Sequence, residues 1–125
     1  MFSYQVRVEI KEDKIIEFVD FLSSIREDLR KEKGCLSLNL YRDIEKETNY
    51  GVISEWKTRE AMDKHFKRTQ FSLLVGAARV LGENYELKIG QTFETGNSQL
   101  AREKIRLDPN KSTNAVGDLL KPPTN

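Results

Sequence analysis

The chain has 125 residues, 38% of them hydrophobic and 33% charged, which is enough for one domain with a well-hydrated surface. Its 21 basic and 20 acidic residues are interspersed, which argues against nucleic acid or an anionic membrane surface as the main partner. Cys35 is the only cysteine, which excludes an intramolecular disulfide and a thiolate metal cluster. The amino terminus is unlike a signal peptide and no apolar run approaches the roughly 20 residues of a membrane span, so a cytoplasmic protein is expected.

The first two predicted elements are a strand over residues 3–10 and an amphipathic helix that starts near Ile15. Apolar and polar side chains alternate along the strand, so one of its faces is expected to be buried. Asp13 is the predicted N-cap of the helix, and Gly34 is the predicted C-terminal stop. Six apolar residues at spacings of three and four predict the buried stripe of the helix: Ile15, Phe18, Val19, Leu22, Ile25 and Leu29.

Two strands follow, over residues 35–42 and 50–57, and the polar segment 43–49 between them predicts a β-hairpin. In the second of these strands, Val52, Ser54 and Trp56 share a face. In the first, alternation predicts one face with Leu36, Leu38 and Leu40, and an opposite face with Cys35, Ser37, Asn39 and Tyr41.

The second half of the domain is predicted to contain two helices and a strand. Thr58 is the predicted cap of a short helix. A further helix over residues 70–81 is expected to end at Gly82. The last strand covers about residues 85–94. The inward side chains predicted for these elements are Ala61, Met62, His65 and Phe66, then Phe71, Leu74, Val75, Ala78 and Leu81, and finally Tyr85, Leu87, Ile89 and Phe93.

The order of elements is β, α, β, β, α, β, with the second helix divided in two. This order is typical of the ferredoxin-like α+β fold, an antiparallel sheet with helices on one face. The opposite sheet face carries small or apolar side chains, for which a second copy of the chain is the simplest cover. A homodimer is therefore expected.

Residues 1–95 are predicted to form this domain, and residues 96–125 a C-terminal extension. The extension holds all three prolines and is mostly polar, which is typical of a segment without its own core. Its sequence SQLAREKIRL predicts one or two helical turns. Its scattered apolar residues are candidates for docking on the body of the protein or on a partner subunit.

The candidate functional site lies in segment 50–71, where a strand ends in the only Trp and the next helix carries the only His. Trp56 is a candidate pocket wall whose indole N–H orients a phenolic or carbonyl oxygen; a plain core residue is the alternative. His65 is a candidate general base, because its ordinary pKa of about 6.5 suits proton transfer at neutral pH; one structural hydrogen bond is the alternative. No second His accompanies it, so no metal site is predicted. The candidate substrate-binding residues, for which core or surface packing is the alternative, are Asn39, Phe66, Phe71 and Tyr85.

These residues carry a family resemblance. The element order, the strand ending SEWKTREAM, the His nine residues after the Trp and the F-x-x-x-x-F spacing resemble the antibiotic biosynthesis monooxygenase (ABM) family over about residues 1–95. The resemblance implies a dimeric α/β barrel with a pocket between sheet and helices in each subunit. It also implies, for some members, oxygenation of quinols or polycyclic phenols with no metal or flavin. Trp56 matches the strand Trp of the family, and His65 matches the helix His.

Two departures from the family pattern bear on function. Some oxygenases of the family place an Asn earlier on the Trp face of the strand, where this chain has Val52 and Ser54. The haem-degrading relatives carry a helix His four residues after the position of Phe71, where this chain has Val75. Haem degradation is therefore not expected.

Two functions stay open on the sequence. The first is a cofactor-independent monooxygenase for a quinol or polycyclic phenol, with His65 as the base, Trp56 as the orienting donor, and a small aromatic molecule and O2 as its partners. The second is a non-catalytic ligand-binding or structural dimer, because the fold alone implies no reaction. A third, an isomerase for a phosphorylated sugar-like signal, needs cations in the pocket, for which only Arg7 and Arg79 are candidates.

Overall fold

A computed structural model describes residues 1–106 of the chain. The chain divides into two units, Met1–Thr92 and a second that begins at Phe93. The first unit contains four strands, β1 (Phe2–Ile10), β2 (Cys35–Arg42), β3 (Asn49–Trp56) and β4 (Gly82–Gln91), and three helices, α1 (Ile15–Arg30), α2 (Arg59–Phe66) and α3 (Thr69–Leu81). The second unit contains α4 (Ser98–Arg106).

The four strands form one antiparallel sheet in the order β2-β3-β1-β4. Tyr4 pairs with Ser54 and Val6 with Val52, so the inward residues of β1 and β3 lie side by side. This is the predicted ferredoxin-like α+β fold. It places the two central strands, which carry most of the buried residues of the sheet, beneath the helices.

The helices pack on one side of the sheet, here called the covered face, and the opposite side is the open face. The predicted stripe of α1 is confirmed, since Phe18, Leu22 and Leu29 are buried. Burying a Phe or Leu side chain contributes about 1.5–3 kcal/mol. The core between sheet and helices therefore supplies much of the stability of this unit. On the open face, half-buried and exposed side chains alternate with the core positions: Ser3, Gln5, Arg7, Ser37, Asn39, Tyr41, Gly51 and Ile53.

The start of α1 differs from the prediction. Asp13 is not its N-cap, because Glu12–Lys14 already form a 3-10 turn and the helix continues from Lys14 without a side-chain cap. The Lys14 backbone N–H donates to the Lys11 carbonyl at 2.8 Å, so the chain is helical before α1 begins. The helix ends at Arg30, and Gly34 closes the following turn rather than the helix itself.

A β-bulge corrects the predicted faces of β2. The pairing of β2 with β3 shifts register between Cys35 and Ser37. Cys35 pairs with Trp56 and so lies on the covered face, whereas Leu36 is 56% exposed. The prediction for Cys35 and Leu36 is wrong, because the extra residue of a bulge shifts the alternation by one. Leu38 keeps its predicted place and is buried.

Leu87 and Ile89 of the last strand point inward as predicted, but neither is buried. Leu87 and Ile89 pair with the buried Val6 and Tyr4 and therefore face the same side. They remain 42% and 53% exposed, because β4 is an edge strand with no neighbour beyond it. Tyr85 is 44% exposed, and Phe93 lies beyond the end of β4 and is 93% exposed.

The extension contains the predicted helical turns as α4. Its proposed docking remains a prediction, and the apolar residues that it would use beyond Arg106 lie outside the described residues. Within residues 1–106, no helix is both long enough and apolar enough to cross a membrane.

Candidate functional site

His65 lies where α2 packs on the sheet. Thr58 caps this helix as predicted, and its Oγ1 accepts a hydrogen bond from the Ala61 backbone N–H at 3.1 Å. The cap fixes the start of α2, and the helix presents Met62 about one turn later and His65 about two turns later to the core, where they are 0% and 1% exposed. A titratable side chain has thereby been taken out of water, which is costly unless its polar atoms find partners.

Both nitrogens of the His65 ring have such partners. The Tyr4 hydroxyl lies 2.7 Å from Nε2, and the Glu32 carboxylate contacts Nδ1 through Oε2. An ionised carboxylate can only accept, so Nδ1 carries the proton of the neutral ring and Nε2 accepts from the Tyr4 O–H. The result is a buried chain of carboxylate, imidazole and phenol.

Glu32 reaches the ring from the turn between α1 and β2. Its side chain is 7% exposed. Gly34 shapes this turn, because it has a φ of 88° and a Cβ at its position would lie 2.5 Å from the Ala61 Cβ. Any side chain would therefore push the turn away from α2. The Lys57 backbone N–H donates to the Gly34 carbonyl at 2.8 Å, which ties the same turn to the end of β3.

Aromatic rings surround the imidazole. The Trp56 ring stacks on His65 with a centroid distance of 4.6 Å and an interplanar angle of 27°. Tyr4 lies 5.3 Å away at 18°, and Phe71 contacts the ring edge-on at 5.3 Å. Phe66 packs against Tyr4 at 5.3 Å and Phe71 at 4.8 Å. This shell holds the ring in one orientation and keeps it dry.

Burial sets the protonation of the His65 imidazole and the Tyr4 phenol. It lowers the pKa of His65, an effect that Arg68 strengthens and that the Glu32 carboxylate partly offsets. Burial also raises the pKa of the Tyr4 phenol, and the Ser54 hydroxyl beside it offsets part of this rise. At neutral pH the imidazole is therefore uncharged and the phenol keeps its proton.

A cavity of about 600 Å³ opens beside the hydrogen-bonded residues Glu32 and His65. Glu32, Trp56 and His65 form part of its wall, together with Gly34 and Ala61. Two buried polar atoms of this wall have no hydrogen-bond partner within residues 1–106: the Trp56 indole Nε1 and Glu32 Oε1. Glu32 Oε1 lies 3.3 Å from Arg68 Nε and forms an ion pair with it, but it accepts no hydrogen bond. Two residues of this wall thus carry a donor and an acceptor without a hydrogen-bond partner, and both atoms are themselves buried.

Comparison with known proteins assigns the family. The sequence model of the antibiotic biosynthesis monooxygenases matches residues 1–75, more than half of the chain. The chain belongs to the antibiotic biosynthesis monooxygenase family. An uncharacterized protein of Synechocystis is 30% identical over 89 residues, which cover 70% of this chain and 60% of that protein. The chain therefore spans less than two thirds of the length of this relative.

Solved structures agree on the ABM fold. A candidate antibiotic biosynthesis monooxygenase from Deinococcus radiodurans superposes with a TM-score of 0.71 at 17% identity, over 78% of this chain and 97% of that one. SnoaB, a cofactor-independent oxygenase from Streptomyces nogalater, superposes with a TM-score of 0.66 at 18% identity, over 75% and 94%. At such identities the likeness shows the fold alone.

The ABM fold brings together four of the six predicted site residues. His65, Trp56, Phe66 and Phe71 form one aromatic cluster. Asn39 pairs with Ile53 on the open face and is exposed, with its amide oxygen 3.5 Å from an Arg30 nitrogen. Tyr85 lies on the exposed edge strand. Of the six, only Trp56 and His65 line the cavity; the four predicted substrate-binding residues, Asn39, Phe66, Phe71 and Tyr85, do not.

Sequence reasoning missed Tyr4 and Glu32 as site residues. Tyr4 carries a weak signal, since it is the only polar aromatic residue at an inward position of β1. Glu32 carries none, because it stands between Lys31 and Lys33 in a charged run that resembles a solvated turn. Its role depends on the close approach of the turn to α2, which no local pattern predicts.

Within the described part of the chain, no three His, Cys, Asp or Glu side chains are placed to hold a metal ion together. Cys35 is half-buried beside Trp56, and burial raises the pKa of its thiol. Its Sγ lies 3.5 Å from the Ser37 carbonyl oxygen. A thiol with a raised pKa is a poor nucleophile at neutral pH, so Cys35 is best explained as a packing residue.

Proposed function

We propose that this chain is a cofactor-independent monooxygenase that acts on a quinol or polycyclic phenol in the cavity beside His65. One observation carries the proposal: two residues of the same cavity wall hold buried polar atoms without a hydrogen-bond partner, a donor at Trp56 Nε1 and an acceptor at Glu32 Oε1, whose present contact is the ion pair with Arg68. A phenolic hydroxyl is both an acceptor and a donor, so it matches this pair. The family and the oxygenase activity of SnoaB add support.

In the proposed mechanism, the phenol donates its hydrogen bond to Glu32 Oε1 and accepts one from the Trp56 indole. His65 was expected to be the base itself, but Tyr4 and Glu32 already occupy its two nitrogens. Glu32 is therefore the group that accepts the phenolic proton, and His65 holds the carboxylate in place through its Nδ1–H. Such a base contributes about 10²- to 10⁴-fold to the rate.

The redox balance of the reaction requires no reductant besides the substrate. A phenol that tautomerises to a ring ketone with a CH2 carbon can lose the two hydrogens of that carbon to O2. One oxygen atom becomes the new carbonyl, the other leaves as water with both hydrogens, and the substrate supplies the four electrons. The cavity contributes position, a base and a shielded wall.

The test uses anthrone, whose enol is a polycyclic phenol, together with ¹⁸O2. We expect oxygen uptake to be catalysed and one labelled atom to appear in the quinone, with no hydrogen peroxide released. Glu32→Gln is expected to lower kcat by about 10²-fold or more, whereas Glu27→Gln, an exposed carboxylate on α1, is expected to leave it unchanged. Unlabelled product, or full activity of Glu32→Gln, would contradict the proposal.

A second candidate, a non-catalytic binding module, is favoured by a different observation. The rings of Trp56 and His65 are 0% and 1% exposed, so both are also well-packed parts of the core. A module of this kind would bind the phenol and quench the fluorescence of Trp56, the only indole of the chain, without consuming oxygen. Oxygen uptake measured in the same cell separates the two functions.

We also propose that the protein is a homodimer in which a second copy covers the open face. Small and apolar side chains such as Gly51 and Ile53 on that face support this arrangement. Sedimentation equilibrium checks it: a monomer at all micromolar concentrations excludes the dimer, and Ile53→Lys is expected to weaken it.

A further inference from the structure

We propose that the ligand of the cavity carries an anionic group, a carboxylate on its aromatic body, which Lys33 and Lys57 bind at the rim. The inference deepens the proposed function, since it rests on the cavity being the ligand site. The inference rests on the charges around the cavity, where cationic side chains outnumber anionic ones although the two are nearly balanced in the chain as a whole. The net charge of the full chain is only +1.

The cavity wall contains four cationic and two anionic side chains. The cations are Lys33, Lys57, Lys64 and Arg68, and the anions are Glu32 and Glu60. Both carboxylates are engaged. Glu60 lies 3.6 Å from Lys64 Nζ, and Glu32 binds His65 Nδ1 and lies 3.3 Å from Arg68 Nε. After these pairs are matched, two lysines remain without a counter-charge.

Lys33 and Lys57 are far apart in sequence, but the fold brings them together. The hydrogen bond from the Lys57 backbone N–H to the Gly34 carbonyl joins the end of β3 to the turn that carries Lys33. Neither lysine forms an ion pair with any of the residues 1–106. Two like charges thus line the same cavity, and we expect a single anion to interact with both.

The rest of the wall specifies what the anion is attached to. Ala61 and Gly34 supply apolar surface, and the ring of Trp56 lies buried among the same lining residues. An aromatic ring against this surface, with an acidic substituent toward the lysines, satisfies both parts of the cavity. Because the ammonium groups are exposed, we expect their effect to depend on ionic strength.

The test compares 1-hydroxy-2-naphthoic acid with its methyl ester, which has the same hydroxyl and ring but no charge. Binding is measured by isothermal titration calorimetry under argon, so that turnover does not contribute. At 25 mM salt we expect the acid to bind about 10-fold more tightly than the ester, and at 300 mM salt the preference should shrink. Equal affinity of acid and ester at low salt overturns the inference, and so does the absence of binding by both.

Two double variants of equal charge change locate the effect. Lys33→Gln with Lys57→Gln should abolish the preference for the acid. Lys31→Gln with Lys67→Gln removes two exposed lysines that do not line the cavity, and should retain it. Equal losses in both double variants would show that only the overall charge matters, which also overturns the inference.

A third ligand, 1-naphthyl phosphate, separates a carboxylate subsite from a phosphate subsite. If the phosphate ester binds more tightly than the acid and depends on the same two lysines, the assignment to a carboxylate is wrong. The calorimetry is also independent of the oxygenase proposal. Tight, lysine-dependent binding of the acid without oxygen uptake in air would retain the anion subsite and reject the oxygenase.

Discussion

The two faces of the sheet are made by the same alternating strands, yet within residues 1–106 the fully buried polar side chains, Ser54 and His65, lie on or against the covered face. On that face Tyr4, Ser54 and Trp56 are each no more than 1% exposed. On the open face their neighbours Gln5 and Ile53 remain in partial contact with water. Alternation therefore separates a side on which polar groups lose water from a side on which they keep it.

This difference accounts for the electrostatics of the site. Burial is the largest cause of each pKa shift found within residues 1–106, and the groups concerned, Tyr4, Cys35 and His65, all lie on or against the covered face. The polar groups there are tolerated because Glu32, His65 and Tyr4 satisfy one another. Two atoms stay without a hydrogen-bond partner, Glu32 Oε1 and Trp56 Nε1; both are buried and belong to residues that line the cavity.

The largest difference in unfolding free energy is expected between two leucines of β2, one buried on the covered face and one exposed. Leu38→Ala removes a side chain that is 2% exposed, and should lower the free energy of unfolding by about 2–5 kcal/mol. Leu36→Ala, two positions earlier and 56% exposed, should change it by about 0.5 kcal/mol or less. Urea unfolding measures both. Equal losses would mean that the bulge is absent or that Leu36 is covered in solution.

The same bulge marks the limit of what the sequence predicts about the fold. Periods of two and 3.6 residues predicted the element order, the stripe of α1 and the cap at Thr58, because these depend on local alternation and local hydrogen bonds. The faces of Cys35 and Leu36 were wrong because one extra residue changes the register without changing the composition. The exposure of Leu87 was missed because a pattern of alternation does not tell an edge strand from a central one.

The site was predictable only in its aromatic part. Trp56, His65, Phe66 and Phe71 lie close together in sequence, and the spacing on strand and helix brings them into one cluster. Tyr4 comes from the far end of the chain and Glu32 from a turn, so both needed the tertiary fold to reach His65.

A smaller effect is expected from removing one hydroxyl on the covered face. Tyr4→Phe keeps the ring but leaves His65 Nε2 buried without a partner, and should cost about 1–3 kcal/mol of unfolding free energy. Tyr85→Phe makes the same chemical change at a residue that is 44% exposed, and should cost less than about 0.5 kcal/mol. Similar values for the two variants would indicate that the Tyr4 hydroxyl contributes nothing to the stability of the covered face.

The titration of His65 sharpens the contrast further, since its ring gives the only imidazole signal of the chain. We expect NMR to give a pKa below the ordinary value of about 6.5. Glu32→Gln should lower this pKa further, because the carboxylate favours the charged ring, and Arg68→Gln should raise it, because the guanidinium disfavours that ring. A wild-type pKa at or above the ordinary value would contradict the burial of a neutral ring.

The same shift predicts how stability depends on pH. Because the folded pKa is the lower one, the unfolded chain binds the extra proton as the pH falls through about 6.5. The contribution of His65 is therefore complete above this pH and is lost as the pH falls toward the folded pKa. Its slope cannot exceed about 1.4 kcal/mol per pH unit, the limit for one proton. In His65→Gln the part of the pH dependence of the unfolding free energy that comes from the imidazole should disappear, and only the part that comes from carboxylates should remain.

The smallest effect on the free energy of unfolding is expected at Thr58, the cap of α2. Thr58→Ala removes the hydroxyl that accepts the Ala61 N–H, and should cost about 1 kcal/mol. Thr69→Ala is the matched control, because Thr69 begins α3 but the cap position is Arg68, which makes no side-chain cap bond. If the cap also positions His65, Thr58→Ala should move its NMR pKa toward the ordinary value, while Thr69→Ala leaves it in place. A loss of stability with an unchanged pKa would mean that Thr58 stabilises α2 but that packing against Trp56 and Tyr4 alone holds the imidazole.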